Sequence, residues 1–116
     1  MPISLLIARV DPTSAKSTDS FHRWYDDVHI PQVIQHIPGV VAANRYQLAD
    51  HQLTPAQNLP THKYLAVYQI DSSDLTATVR RLGEALGDGT LDMDGESISL
   101  VGENGPELLF YTPIAQ

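Results

Sequence analysis

The chain is predicted to fold as an α+β layer pair, with four antiparallel strands and two helices on one face of the sheet. Three observations carry this. Short runs rich in strand-forming residues lie at 3–10, 40–48, 63–70 and 108–112. Apolar residues recur at helical spacing between the first and second runs and between the third and fourth. Turn residues stand at the junctions. The resulting order, βαββαβ, is the ferredoxin-like arrangement.

The first strand, residues 3–10, is apolar on both faces, as a central strand covered on both sides should be. Asp11-Pro12-Thr13-Ser14 ends it as a turn, and Ser17, Thr18 or Asp19 can cap the next helix. Phe21, Trp24 or Tyr25, and Val28 form one apolar stripe. Pro31 lacks an N–H and suits a first helical turn, so a break is expected near His29-Ile30, followed by a second segment carrying Val33, Ile34 and Ile37. Pro38-Gly39 leads into the second strand, and residues 50–61, with Pro55 and Pro60, read as a loop.

In the third strand Leu65 and Val67 are expected under the helices, while Tyr64 and Tyr68 share the opposite face. Asp71-Ser72-Ser73-Asp74 starts the second helix, whose expected buried stripe is Leu75, Val79, Leu82 and Leu86, and Gly87-Asp88-Gly89 closes it. Residues 88–105 are acidic and glycine-rich and read as a long loop, with a short strand at 97–101. Residues 108–112 form the last strand.

The length of 116 residues accommodates one domain with one core. No apolar run is long enough to span a bilayer, and no signal peptide opens the chain, so a cytoplasmic, non-membrane protein is expected. The absence of cysteine excludes disulfides, thiolate nucleophiles and cysteine metal sites. The net charge is −7, from 14 acidic residues against 7 Lys plus Arg. Those few bases form no patch for a phosphate backbone, so nucleic acid is not an expected partner.

Helices on one face leave the other face of the sheet bare, yet the strands are apolar on that side too. Such a face usually marks an interaction surface. Two sheets packed face to face would cover it, so a symmetric homodimer with a β-barrel interior is expected.

His29 follows Tyr25 by one helical turn, which lets imidazole and phenol meet as a proton-transfer pair. The competing structural reading is that His29 caps the helix C-terminus by bonding its free carbonyls. Trp24 reads as core packing with a partner for its indole N–H, or as a stacking surface for a ligand. His22, Asp26 and His29 share a helix face, but no separate ligand cluster supports a metal, and a solvated polar face is the preferred reading. The acidic run 88–96 lacks the glycine and glutamate register of a calcium loop. Tyr64 and Tyr68 would line the barrel interior and orient a ligand, with ordinary packing as the alternative. On the second strand Tyr46 is the more natural cavity residue and Arg45 the more natural anion clamp. No phosphate-cradling loop or G-x-S-x-G turn is present.

Trp24-Tyr25-x-x-x-His29-Ile30-Pro31, then Pro38-Gly39-Val40, Arg45-Tyr46 and the strand Tyr64-Leu65-Ala66-Val67-Tyr68, resembles the small dimeric α+β barrel proteins related to the EthD family. The resemblance also takes in the first strand and Phe110-Tyr111-Thr112-Pro113. It implies a ferredoxin-like domain that dimerises, with a histidine at this place bordering an internal cavity. Relatives of this kind include polyketide cyclases, cofactor-free oxygenases and haem-degrading enzymes. The last of these pair an asparagine with tryptophan and histidine, a part for which Asn44 is the candidate. The expectation is a cofactor-independent enzyme acting by proton transfer on a hydrophobic aromatic or polyketide-like molecule. In it His29 and Tyr25 are catalytic, and Trp24, Arg45, Tyr46, Tyr64 and Tyr68 bind substrate. A cofactor-free monooxygenase and a non-catalytic homodimeric binder of a hydrophobic metabolite are the alternatives.

Overall fold

The structure is a computed structural model that describes residues 3–93 and 105–114. Its strands are β1 (Ser4–Arg9), β2 (Val40–Gln47), β3 (Tyr64–Ile70) and β4 (Glu107–Tyr111). They form one antiparallel sheet in the order β2-β3-β1-β4, so the two central strands are covered by neighbours on both edges. The connections carry helices α1 (Thr18–Trp24), α2 (Ile30–His36) and α3 (Leu75–Asp88). This is the expected ferredoxin-like α+β architecture.

α1 and α2 are not separated by a break. A π-helical turn, Tyr25–His29, joins them into one continuous helical run. The Ile30 N–H reaches back five residues to the Tyr25 carbonyl. The widened turn takes up the defect that Pro31 would force on a regular helix, by its missing N–H and its ring. The run ends at Pro38-Gly39. Gly39 has φ +92°, and a Cβ there would lie 2.8 Å from the Ser72 Cβ, so glycine is required on both counts. The Thr78 hydroxyl donates to the Pro38 carbonyl at 3.0 Å and ties α3 to this corner.

α3 starts where Asp74 accepts the Ala77 N–H at 3.1 Å and stops at Gly89, in the left-handed region at φ +86°. Its buried residues are Thr78, Leu82 and Ala85. Val79, expected in the stripe, is 39% exposed, while Leu75 and Leu86 pack at the margin of the core. Thr78 takes the place of Val79 beneath the helix, with its hydroxyl satisfied by the Pro38 carbonyl.

The sheet faces correct the expected assignment. Leu6, Ala8 and Val10 on the first strand, and Ala66, Tyr68 and Ile70 on β3, are buried under the helices. Leu65 and Val67 therefore lie on the open face, and Tyr64 and Tyr68 on the helix face. Alanines 8 and 66 put little bulk on this side, where Phe21 and Tyr68 are also buried.

A β-bulge at Val41 shifts the alternation of β2. Val40 pairs with Ile70, Ala43 with Tyr68 and Arg45 with Ala66, all on the helix face. Ala42, Asn44 and Tyr46 are turned to the open face. Val40 and Ala42 therefore lie on opposite faces, because the bulge stands between them. A buried carboxylate, Asp11, accepts the backbone N–H groups of Lys63 and Tyr64 at 2.9 and 3.3 Å and fixes where β3 begins.

The open face carries Leu5 and Ile7, flanked by Leu65 and Val67 on one side and Leu109 and Tyr111 on the other. Arg9 and Glu107 close one end with an ion pair at 2.6 Å. The short strand expected at 97–101 lies outside the described residues.

Candidate active site

The π-turn is the element that builds the site. Its wide coil brings residues five apart toward the same side. Trp24 and His29 accordingly stack, with ring centroids 4.6 Å apart and planes 21° from parallel. Tyr25 meets the same imidazole edge-on at 5.2 Å. Trp24 is itself held by its indole N–H, which donates to the Asp92 carbonyl at 2.8 Å. The Asp92 N–H in turn donates to the Gln32 side chain at 2.7 Å, so residues 91–93 are fastened across the helix layer.

These side chains face a cavity of ≈ 260 Å³ between the sheet and the helices. Leu6, Ala8, Val10, Tyr68 and Leu108 form its floor, and Trp24, Tyr25, His29 and Val33 one wall. Leu82 and Leu86 of α3 close another side, and Met93 and Pro106 border it. Two buried polar atoms at this cavity, His29 Nδ1 and the Tyr68 hydroxyl, have no hydrogen-bond partner among the described residues. Buried polar groups are nearly always satisfied, so two orphans in one apolar cavity point to a bound molecule or ordered water. The C-cap reading of His29 fails, because the helix runs on to His36 and offers no free carbonyl at that point.

Burial governs the titration of the site. His29 is pulled down to about 4 by desolvation, so its imidazole is neutral near neutral pH. Tyr25 is raised by burial, an effect partly offset by Tyr68 and Arg45. Tyr68 is raised well above the usual phenol range by burial and by Tyr25. The two phenols are close enough to be coupled, although the Tyr68 hydroxyl lacks a partner in good hydrogen-bond geometry. Both phenols therefore keep their O–H near neutral pH and can donate it.

The His29 shift has a consequence for stability. The unfolded chain takes up the histidine proton below pH 6.5, whereas the folded chain takes it up only near pH 4. Stability should fall as the pH is lowered through that window, by an amount on the order of 3 kcal/mol. Urea unfolding of wild type and His29→Gln between these limits checks this. A wild-type profile as flat as the variant's would rule out the buried neutral imidazole.

The expected site residues divide into three groups. His29, Tyr25, Trp24 and Tyr68 meet at the cavity. Arg45 stands behind it, with its guanidinium 4.6 Å from the Tyr25 ring centroid and 5.3 Å from that of Phe21. It pairs with His22 Nδ1 at 2.9 Å and Asp26 at 3.2 Å, so it braces the helix rather than clamping an anion. Tyr64 packs beside it against Phe21 and His22, with centroids 5.5 and 5.0 Å apart. Tyr46 lies on the other side of the sheet and is 54% exposed.

Asn44 also faces the open side, away from His29, and cannot join Trp24 and His29 in one pocket. His22 is occupied by a cation, and its proton affinity is lowered by burial and by Arg45. Its face is therefore unsuited to a divalent metal. No group of three or more metal-ligating side chains occurs among the described residues.

Sequence reasoning missed Met93, Pro106 and Gln32. The first two flank an acidic stretch with no periodicity, so only the chain's path brings them to the cavity. Gln32 sits on a helix face where a solvated glutamine is the ordinary expectation.

No family model matches the chain, and neither does any curated protein sequence. Among solved structures it is similar to an ethyl tert-butyl ether D (EthD) family protein from Bacillus halodurans. The similarity covers 98% of this chain and 100% of that one, at 14% sequence identity and a TM-score of 0.51. It supports the α+β fold. No helix among the described residues is long and apolar enough to cross a membrane.

Proposed function

We propose that this protein is a homodimer that binds a small hydrophobic molecule in the cavity between sheet and helices and transfers a proton there. The observation that carries the reading is the pair of buried atoms, His29 Nδ1 and the Tyr68 hydroxyl, that lack a hydrogen-bond partner among the described residues at one apolar cavity. A neutral imidazole protonated on Nε2 presents a lone pair at Nδ1. A carbonyl compound bound with its oxygen at Tyr68 could then lose an adjacent C–H proton to His29, the electron pair moving onto the oxygen. Return of that proton to another atom gives isomerisation. Attack by the enolate carbon on a second carbonyl of the same molecule, whose oxygen takes the electron pair and the proton, gives cyclisation, with loss of water where dehydration follows. Such steps need positioned acids and bases and no cofactor.

The dimer reading rests on the apolar sheet face, which none of the described elements covers and a second copy would bury. The low proton affinity of His29 favours one second reading, a non-catalytic binder. A general base works best with a pKa near the working pH, and His29 falls below that.

Deuterium uptake by 2-tetralone, followed by NMR in D₂O, separates the two. Catalysis predicts exchange about 100-fold or more above buffer, lost in His29→Phe. Exchange at the buffer rate with the ketone demonstrably bound would leave the binder.

A further inference from the structure

Resting on the reading of this cavity as a small-molecule site, we propose that it selects an uncharged ligand of one or two rings bearing a hydroxyl or carbonyl group, and excludes carboxylates and phosphates. The first reason is the wall. Among the described residues every side chain lining the cavity is uncharged. The guanidinium of Arg45 lies behind the Tyr25 ring and is engaged by Asp26 and His22, so it offers no counter-charge to an anion inside. An anion would lose its hydration shell and gain no ion pair, which is the costly case.

The second reason is the placement of the polar atoms. The Tyr68 hydroxyl is a protonated phenol beside Tyr25 and His29 Nδ1 a neutral ring nitrogen, and neither has a partner in good hydrogen-bond geometry among the described residues. A phenol or an enolisable ketone can satisfy both without bringing charge: its oxygen accepts from Tyr68, and its O–H or adjacent C–H faces the imidazole. A pure hydrocarbon would leave both atoms unsatisfied, which is itself unfavourable. The third reason is size. About 150 Å³ is enough to hold benzene, so ≈ 260 Å³ admits a substituted ring or a fused pair. A three- or four-ring polyketide would not fit inside it whole.

Three probes of matched shape test this: 2-naphthol, 2-naphthoate and naphthalene, titrated calorimetrically into the intact protein at neutral pH. There naphthol is uncharged and naphthoate ionised. The expected order is naphthol tightest, naphthalene about tenfold weaker, and naphthoate about 100-fold weaker than naphthol. Tyr68→Phe, which removes one oxygen and keeps the ring, should erase most of the difference between naphthol and naphthalene. Naphthoate binding as well as naphthol would overturn the exclusion of anions while leaving the cavity a ligand site. Naphthalene binding as well as naphthol would overturn the polar recognition. Failure of all three would overturn the ligand site itself.

Discussion

Ile7→Asp is expected to convert the proposed homodimer into a folded monomer. Ile7 sits at the centre of the open sheet face, between Val67 on β3 and Leu109 on β4. In a monomer the new carboxylate is solvated and costs little. In a face-to-face dimer two carboxylates would be buried on an apolar surface, where Arg9 at the end of that face is already paired with Glu107, at several kcal/mol. The dissociation constant should rise by about a thousandfold or more. Sedimentation equilibrium at micromolar concentration measures it, with circular dichroism confirming that the variant is folded. If the wild type already sediments at the chain mass, a second copy does not cover this face.

The second large effect concerns the core below the π-turn. Phe21 is fully buried and touches Tyr25, Tyr64 and His22, with ring centroids 5.4 to 5.6 Å away. It also underlies the Arg45 guanidinium. Phe21→Ala removes a whole ring from a packed position and should cost about 3–5 kcal/mol. That is a large part of the stability of a domain of this size. Urea denaturation gives the number directly, and the same variant should lose cavity ligands because Tyr25 and Arg45 lose their support. A loss below about 1 kcal/mol would mean that the ring is not packed as described.

The lesson for reading this chain lies in its second and third strands. Alternation in β3 correctly groups Tyr64, Ala66 and Tyr68 on one face, but both faces are apolar. Period alone cannot say which one meets the helices. The answer shows only in the burial: Ala8, Ala66 and Tyr68 lie under the helices with Phe21, and Leu65 and Val67 are left on the open face. In β2 the bulge at Val41 inverts the parity for Arg45 and Tyr46. Nothing in Val40-Val41-Ala42-Ala43 marks it locally, because a bulge is a property of a strand and its partner together.

The candidate site was partly legible for a similar reason. Trp24, Tyr25 and His29 are neighbours in sequence, so helical spacing was enough to group them. Tyr68 joins them only through the sheet register, and Met93 and Pro106 only through the path of the chain.

By itself, then, the sequence determined the order of elements, the capped and glycine-terminated ends of α3, the turn at Pro38-Gly39 and the local cluster on the first helical run. These follow from propensities and spacings that act over a few residues. The tertiary structure alone decided that the helix continues through Pro31 on a π-turn, which residues face the cavity, and that Arg45 lies beneath Tyr25 while Tyr46 points away. Those outcomes depend on how side-chain volumes and backbone hydrogen bonds are shared between elements distant in sequence, and no local pattern records that sharing.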